Sequence, residues 1–316
     1  MYSFWETIPL ETISDGYYPI GREKGHRCIL GTRHDVIEHL REAGLHPRKG
    51  LGQNFLVDES ALQRIIAAAN LNKEDFVLEI GAGPGTLTRL LGEQTLRVLA
   101  VEIDSNMVNI LRTVLAEVRN VDIIQGDILS FSIEKLLDDA GLTADEPYKV
   151  VANLPYYITS AILRHLLEAD RKPSCLVVTV QEEVAKRIIA KPGKMSLLAV
   201  SVQLYGVPEI VTRIPAGAFY PVPKVDSAVL RINLSDKPTV DVEDVHWFFT
   251  VVRAGFSSRR KQLHNVLSGR LSLPGEKVKV ALLQSGIEPT RRAQTLTLDE
   301  WARLCRELPD KASPHL

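Results

Sequence analysis

The segment "NLPYY" places a carboxamide, a proline and two tyrosines directly after a run of strand-forming residues. The side-chain oxygen of Asn153 and the carbonyl of Leu154 can accept the hydrogens of a planar exocyclic amine, such as that of adenine. Holding these hydrogens favours the pyramidal form in which the amine is a nucleophile. Tyr156 would stack on the base. On its own, the motif is equally typical of a strand that ends in an X-Pro turn with core tyrosines.

A glycine-rich turn lies upstream in "VLEIGAGPGTLT", between a β-rich run and the start of a helix. Glycines such as Gly81 and Gly83 let the backbone approach a ligand at a helix N-terminus. The dinucleotide-binding pattern requires a third glycine where this chain has Thr86, so the turn favours a nucleoside without a pyrophosphate group. A tight strand-to-helix turn without a ligand is the structural alternative.

Two carboxylates follow the next two β-rich runs. Glu102 stands about 20 positions after Gly81, from where a carboxylate can accept hydrogen bonds from both ribose hydroxyls. Asp127 could accept a hydrogen bond from an adenine amino group, while Ile103 and Ile128 pack on the ring. A solvated acid or a core isoleucine explains each residue alone. Together with the glycine turn, these residues resemble the S-adenosylmethionine pocket of the Rossmann-like methyltransferases.

Aromatic and basic side chains outside this pocket suggest a nucleic-acid substrate. In "AFYPVPKVDS", Phe219 could clamp a flipped-out base from its second face, although a structural loop aromatic fits as well. The basic cluster in "FSSRRKQL" has no nearby acid and is typical either of a phosphate-binding surface or of a solvated helix face. The expected RNA contacts are Arg48, Lys49, Arg253, Arg259, Arg260 and Lys261.

The composition is that of a soluble globular protein, with 316 residues and a formal net charge of -1. Attraction to a polyanion must therefore come from local basic clusters. Cys28, Cys175 and Cys305 form no CxxC pair, so we expect no metal site and no disulfide framework. Because there is no apolar run of about 18 residues and no signal peptide, we expect a cytoplasmic protein that does not enter a membrane.

A parallel sheet must position these residues. Five β-rich runs, from "FVLEIG" to "SCLVVTVQ", alternate with helical segments, which predicts an α/β fold with helices on both faces of the sheet. Ligands of such sheets bind beyond the carboxyl ends of the strands. The candidate residues Gly81, Glu102, Asp127 and Asn153 all lie at such ends.

The rest of the chain predicts an edge pair of strands and a helical unit. Two β-rich runs after Val207 suit an antiparallel pair at the edge of the sheet, and four helical segments follow a candidate linker at 236–241. We therefore divide the chain into an irregular extension at 1–31, a sheet domain at 32–235 and a helical domain at 242–310.

The ordered motifs "LGQNFLVD", "EIGAGPGTLT", "VEID", "GDIL", "NLPYYIT", "FYPVPKVDSA" and "FSSRRKQL" resemble those of the small-subunit ribosomal RNA adenine N6,N6-dimethyltransferases, over about 33–308. The resemblance implies a Rossmann-like S-adenosylmethionine-dependent methyltransferase sheet with a small C-terminal helical domain that binds RNA or the ribosome. It also implies dimethylation of two adjacent adenosines in the 3'-terminal hairpin of small-subunit rRNA. The substrate would be a 30S assembly intermediate, and we expect a monomeric enzyme.

The resemblance assigns roles residue by residue. Asn153, Leu154 and Tyr156 look like the groups facing the adenine, and Phe219 like the second stacking ring. The residues that look like cofactor contacts are Asn54, Leu56, Gly81, Gly83, Glu102, Ile103, Asp127, Ile128 and Asn153.

Three other functions stay open at this point. Methylases of large-subunit rRNA share the cofactor motifs but typically have Ile at the position of Leu154. A non-catalytic ribosome assembly factor and a DNA adenine methylase are also compatible with the motifs. The chain departs from the family pattern as well, because Met195 and Ser196 stand where the family usually has Tyr-Gly, and this puts the start of the local helix in question.

Overall fold

The structure, a computed structural model, describes residues 33–309, so the expected extension at 1–31 lies outside the described residues. A helix at Arg33–Glu42 and a longer one at Glu59–Ala69 precede the sheet. The second helix begins as predicted, because the Asp58 carboxylate accepts a hydrogen bond from the Ala61 N–H at 2.8 Å and so satisfies a free backbone donor. No helix in the described range is long and apolar enough to cross a membrane.

The predicted parallel sheet is confirmed. Numbered in chain order, with the ranges given below, the five parallel strands have the spatial order β4, β3, β2, β5, β6. The antiparallel pair, β9 and β7, extends the sheet beyond β6. A separate two-stranded sheet joins Phe55–Leu56 to Phe219–Tyr220. The strands are β1 (Phe55–Leu56), β2 (Phe76–Ile80), β3 (Arg97–Glu102), β4 (Val121–Gln125), β5 (Tyr148–Asn153), β6 (Cys175–Gln181), β7 (Gly206–Ile214), β8 (Phe219–Tyr220) and β9 (Ser227–Leu234).

Helices cover both faces of the large sheet, which explains the near-continuous apolar runs in its central strands. Val77 and Leu78 are neighbours on β2 that point to opposite faces, and both are fully buried, each in a different hydrophobic cluster. The helices of this part are α1 (Arg33–Glu42), α2 (Glu59–Ala69), α3 (Thr86–Gln94), α4 (Ser105–Val114), α5 (Ile133–Asp139), α6 (Thr159–Glu168), α7 (Glu182–Ile188) and α8 (Leu197–Gln203).

The strand order places the candidate site. The chain moves outwards in one direction from β2 to β3 and β4, then returns to the other side of β2 to form β5 and β6. The carboxyl ends of β2 and β5 therefore flank a switch point, where α/β sheets commonly bind ligands. Asn153 ends β5 there, beside the turn that follows β2.

Within the described range, four α-helices follow the last strand, after the connection at 235–244. This helical unit does not form a separate core, because Phe248 and Trp301 belong to the same hydrophobic cluster as one face of the sheet. The Gln294 carbonyl also accepts hydrogen bonds from the Gly193 and Met195 N–H groups, at 2.8 and 3.1 Å. The linker predicted at 236–241 therefore lies between the last strand and the first helix of this unit, but the two parts share one hydrophobic core. The helices are α9 (Val245–Phe256), α10 (Leu263–Leu271), α11 (Gly275–Gln284) and α12 (Leu298–Glu307).

One predicted helix start is wrong. The pattern "RRKQLHNVLSG", one of the four helical segments, predicts a helix that begins at Arg259, but α10 begins at Leu263. The Leu263 N–H donates to the Arg291 carbonyl at 2.8 Å, so a tertiary contact fixes the chain where the helix starts. The basic cluster therefore lies in the connection between α9 and α10 instead of on a helix face.

The departure at Met195 and Ser196 leaves the local helix start intact. The Ser196 hydroxyl accepts a hydrogen bond from the Ala199 N–H at 3.1 Å, which caps α8. Met195 is buried in the core. The two residues thus supply a cap and an apolar anchor.

Candidate active site

A cavity opens beyond the carboxyl ends of β2, β3, β4 and β5, as the sequence predicted. Segment 51–55 closes it on one side. Sequence reasoning assigned no role to Tyr157 and Leu129, which also line it. The predicted residues that line it are Asn54, Gly81, Gly83, Glu102, Ile103, Asp127, Ile128, Asn153, Leu154 and Tyr156.

Glu102 ties the end of β3 to the glycine turn. One carboxylate oxygen accepts a hydrogen bond from the Gly83 N–H at 2.8 Å, and the other accepts one from the Asp104 N–H at 2.9 Å. A carboxylate has about four acceptor sites, so each oxygen keeps capacity for a ribose hydroxyl. Burial raises the pKa of Glu102, and the two backbone hydrogen bonds oppose this rise.

The glycine turn is built for close approach. Gly81 and Gly83 adopt φ values of 75° and 56°, in the left-handed region that favours glycine. The hydroxyl of Thr86, which stands where a dinucleotide-binding turn has its third glycine, donates to the Leu56 carbonyl at 3.3 Å. This contact joins the start of α3 to β1. Thr86 therefore has a structural role and does not make room for a pyrophosphate group.

Sequence reasoning missed a buried acid beneath this turn. Glu79 is 2% exposed on β2, and one of its carboxylate oxygens has no hydrogen-bond partner among the described residues. Burial raises the pKa of Glu79 to about 8, and the nearby negative charge of Glu102 adds to the rise. An acid within a β-rich run was the only signal in the sequence.

Asn153 is held in one orientation. Its side-chain amide donates to the backbone carbonyl of Asn54 at 3.0 Å, across 99 positions of sequence. One N–H of the amide is used in this contact, and the side-chain oxygen accepts no hydrogen bond from another described residue, so it can accept one from a ligand. Asn54 in turn donates its own amide to the Gly52 carbonyl at 3.1 Å, which stabilises the turn of this segment.

Segment 48–55 is also attached to the end of β3. The Gln53 amide donates to the Asp104 carboxylate at 2.9 Å and accepts a hydrogen bond from the Arg48 N–H at 2.7 Å. The Arg48 guanidinium lies 3.5 Å from the same carboxylate. Asp104 thus anchors the segment that closes the cavity, a role that the sequence did not reveal.

Apolar and polar groups alternate along the rest of the cavity wall. Ile103 is 46% exposed although it is apolar, whereas Ile128 is buried. Asp127 is exposed, and its carboxylate accepts a hydrogen bond from the Leu129 N–H at 3.0 Å, which leaves acceptor sites for a ligand. A carboxylate beside an exposed apolar side chain suits the edge and the face of a purine.

These acceptor groups and the apolar surface beside them fit the nucleoside part of S-adenosylmethionine. Glu102 would hold the ribose hydroxyls, the glycine turn allows the ligand close to the backbone, and Asp127 with Ile103 would hold the adenine. Leu56 has a different place from the one expected: it is 3% exposed, pairs with Phe219 across the two-stranded sheet and does not line the cavity.

Phe219 also lies apart from the cavity. Its side chain is fully buried in the hydrophobic cluster that includes Leu56 and Ile214. In this conformation neither face of the ring is open to a base, so the structure does not support the role of second stacking ring. Pairing of β1 with β8 turns the ring into the core, and that pairing could not be read from the local sequence.

The predicted RNA contacts fall into two groups. Arg253, Arg259, Arg260 and Lys261 are exposed, and none forms an ion pair with another described residue, so all are available to phosphates. Arg48 is exposed, but the nearby Asp104 carboxylate lowers its availability. The backbone of Lys49 lies in the turn at Lys49–Leu51.

Comparison with known proteins agrees with this geometry. Residues 44–310 match the family described as ribosomal RNA adenine dimethylase. Two proteins named ribosomal RNA small subunit methyltransferase A are similar over most of their length. The one from Dehalococcoides mccartyi is 46% identical over 263 residues, 83% of this chain and 89% of the relative. The one from Moorella thermoacetica is 43% identical over 274 residues, 85% and 95% of the two chains.

Solved structures show the same fold. The 23S rRNA methyltransferase ErmE superposes with a TM-score of 0.63 at 29% identity, over 81% of this chain and 99% of ErmE. A dimethyladenosine transferase from Plasmodium falciparum superposes with a TM-score of 0.64 at 24% identity, over 79% and 95% of the two chains. The family match covers most of the chain, and the cavity has the hydrogen-bond acceptors that binding of the cofactor and an adenine requires. The chain therefore belongs to the ribosomal RNA adenine dimethylase family of S-adenosylmethionine-dependent enzymes.

Proposed function

We propose that this chain dimethylates the N6 amines of two adjacent adenosines in the 3'-terminal hairpin of small-subunit rRNA. The substrate is a 30S assembly intermediate, and the enzyme acts as a cytoplasmic monomer. The observation that carries the proposal is the fixed amide of Asn153, whose nitrogen donates to the Asn54 carbonyl and whose oxygen can accept a hydrogen bond from the target amine.

The chain's own groups prepare the nucleophile. In the first transfer to each adenine, the Asn153 side-chain oxygen and the Leu154 carbonyl accept the two N6 hydrogens and favour a pyramidal nitrogen, while Tyr156 stacks on the adenine. In the second transfer one N6 hydrogen remains for these acceptors. Bound S-adenosylmethionine supplies an electrophilic methyl group on a sulfonium. With the cofactor held by Glu102, Asp127 and the glycine turn, the methyl group would pass from sulfur to the amine lone pair, the donor would leave as a neutral thioether, and the amine would lose a proton to solvent. Alignment of this kind can lower a barrier by roughly 7–11 kcal/mol.

Two observations favour small-subunit rRNA over the large subunit. The relatives named for the small subunit share 46% and 43% identity with this chain, against 29% for the 23S rRNA methyltransferase. Leu154 also occupies the position where large-subunit enzymes typically have Ile.

The direct test is methyl transfer from labelled S-adenosylmethionine to undermethylated 30S particles. We expect N6,N6-dimethyladenosine in the digested rRNA, at two adjacent positions of the 3' hairpin. The same incubation with 50S particles, naked rRNA and duplex DNA separates the alternative substrates. Transfer only to 50S particles would make the chain a large-subunit methylase. Cofactor that fails to bind by calorimetry would make it a non-catalytic assembly factor.

A further inference from the structure

A buried serine holds the tyrosine that faces the target base. The Tyr156 hydroxyl lies 2.6 Å from the Ser227 hydroxyl, across 71 positions of sequence. Ser227 is fully buried, whereas Tyr156 is half-buried and lines the cavity. Burial raises the pKa of the Tyr156 phenol, so the pair is a neutral hydrogen bond between two hydroxyls.

Ser227 sits at a rigid point of the sheet. It is the first residue of β9 and lies opposite Gln181 of β6 on one side and Ile214 of β7 on the other. The preceding residue, Asp226, fixes the entry of the strand: its carboxylate accepts from the Ala216 N–H at 2.9 Å and its carbonyl from the Glu182 N–H at 3.0 Å. The hydroxyl of Ser227 therefore has little freedom to move.

Tyr156 lies in the turn between β5 and α6, which the Ile158 N–H closes by donating to the Pro155 carbonyl at 3.3 Å. The hydroxyl of a tyrosine lies on the long axis of its ring, so a hydrogen bond at that end fixes where the axis points. The bond therefore restrains the position of a ring that lines the same cavity as the Asn153 amide. A displacement of about 1 Å at a reacting centre can cost about 100-fold in rate.

We propose that Ser227 is a positioning residue for methyl transfer, which anchors the Tyr156 ring so that the stacked adenine presents its N6 amine to the Asn153 oxygen. The inference rests on the proposed function, because it needs an adenine in the cavity. It also gives a role to "VDS", whose serine neither lines the cavity nor reaches solvent. The hydroxyl acts on the base only through the ring.

A double-mutant cycle tests the anchor. Ser227→Ala and Tyr156→Phe each remove one hydroxyl of the pair and keep the ring, and both are assayed with undermethylated 30S particles. We expect each to lower kcat/KM about tenfold, and the double variant to lose no more than either single variant, as for two groups that act as one unit. Ser227→Thr keeps a hydroxyl and should restore most of the rate.

Two controls separate positioning from a general loss of structure. Ser285→Ala removes another buried serine hydroxyl, which donates to the Ala281 carbonyl at 2.7 Å in the helical unit, and should leave kcat/KM unchanged. Cofactor affinity by calorimetry should stay at the wild-type value in Ser227→Ala, since the hydroxyl is outside the cofactor cavity. Additive losses in the double variant, or an unchanged rate in Ser227→Ala, would overturn the inference while leaving the proposed function in place. An inactive wild-type protein would overturn both.

Discussion

The hydrogen bond from the Asn153 amide to the Asn54 carbonyl can be tested by an isosteric change. Asn153→Asp keeps an oxygen for the target amine but replaces the donor, which is 3.0 Å from the carbonyl, by an acceptor. An unpartnered buried polar group costs about 1–3 kcal/mol, which corresponds to roughly 5- to 150-fold in rate if the productive orientation is lost. Asn153→Ala removes the oxygen as well, and loss of one such contact costs about 2.7–4 kcal/mol, or about 100- to 1,000-fold.

The sign of the pH dependence distinguishes the donor from the acceptor. A protonated carboxyl can donate to the Asn54 carbonyl, whereas an ionised one is repelled by it, so this contact raises the pKa of the introduced group. The rate of Asn153→Asp relative to wild type should therefore rise as the pH falls through that pKa. Asn153→Ala has no group to titrate and should show a constant ratio.

The assay is single-turnover methyl transfer to 30S particles at saturating enzyme and cofactor, between about pH 5.5 and 8.5, a window above the ordinary aspartate pKa of about 3.9. Single turnover isolates the chemical step from product release. Circular dichroism and calorimetric cofactor affinity, measured on each variant, verify that the fold and the cofactor site are kept. If Asn153→Asp matched the wild-type rate at every pH, the Asn54 carbonyl would have no part in orienting the catalytic amide.

Three further predictions concern the cofactor site, RNA binding and stability. Glu102→Gln replaces one acceptor oxygen by a donor that faces either the Gly83 or the Asp104 N–H. Cofactor binding, measured by calorimetry, should weaken by about 1–2 kcal/mol. Asp122→Asn, on the neighbouring strand, is the matched control. Arg259→Ala should lower the slope of log affinity against log salt by about 1 in 30S binding, because it removes one phosphate contact. The pKa of Glu79 in the folded protein is about 8, above its ordinary value of 4.5. The contribution of Glu79 to the free energy of unfolding should therefore be fully present below pH 4.5 and lost as the pH rises through about 8. In urea titrations across this pH range, the free energy of unfolding should fall less steeply with pH in Glu79→Gln than in the wild type. An equally steep fall would contradict the raised pKa of Glu79.

Local patterns were sufficient to predict the sheet and the ends of its strands. The apolar runs at 76–80 and 97–102 become buried strands, and a carboxylate or a glycine at the end of such a strand reaches the cavity because parallel strands end at one edge. The Asp58 cap was equally local, since its partner is three residues away.

Contacts between distant segments could not be predicted in this way. The Asn54 carbonyl that orients Asn153 is a backbone group, which every residue carries and no motif marks. Ser227 shows the same limit, because a serine at the start of a strand gives no sign that it faces a tyrosine from another strand end. Burial of Phe219 follows from β1 pairing with β8, a pairing of two short strands with little signal of their own.

A chain of hydrogen bonds links the cofactor site to the catalytic amide. Glu102 holds the Asp104 N–H, the Asp104 carboxylate holds the Gln53 amide, and the next residue, Asn54, offers its carbonyl to Asn153. A shift of segment 53–54 would therefore disturb the ribose acceptor and the amine acceptor together. Because both reactants depend on one short segment, the geometry between them is set by folding before either is bound. Preorganisation of this kind is the source of rate enhancement that an uncharged catalytic amide most needs, since it has no strong basicity to offer.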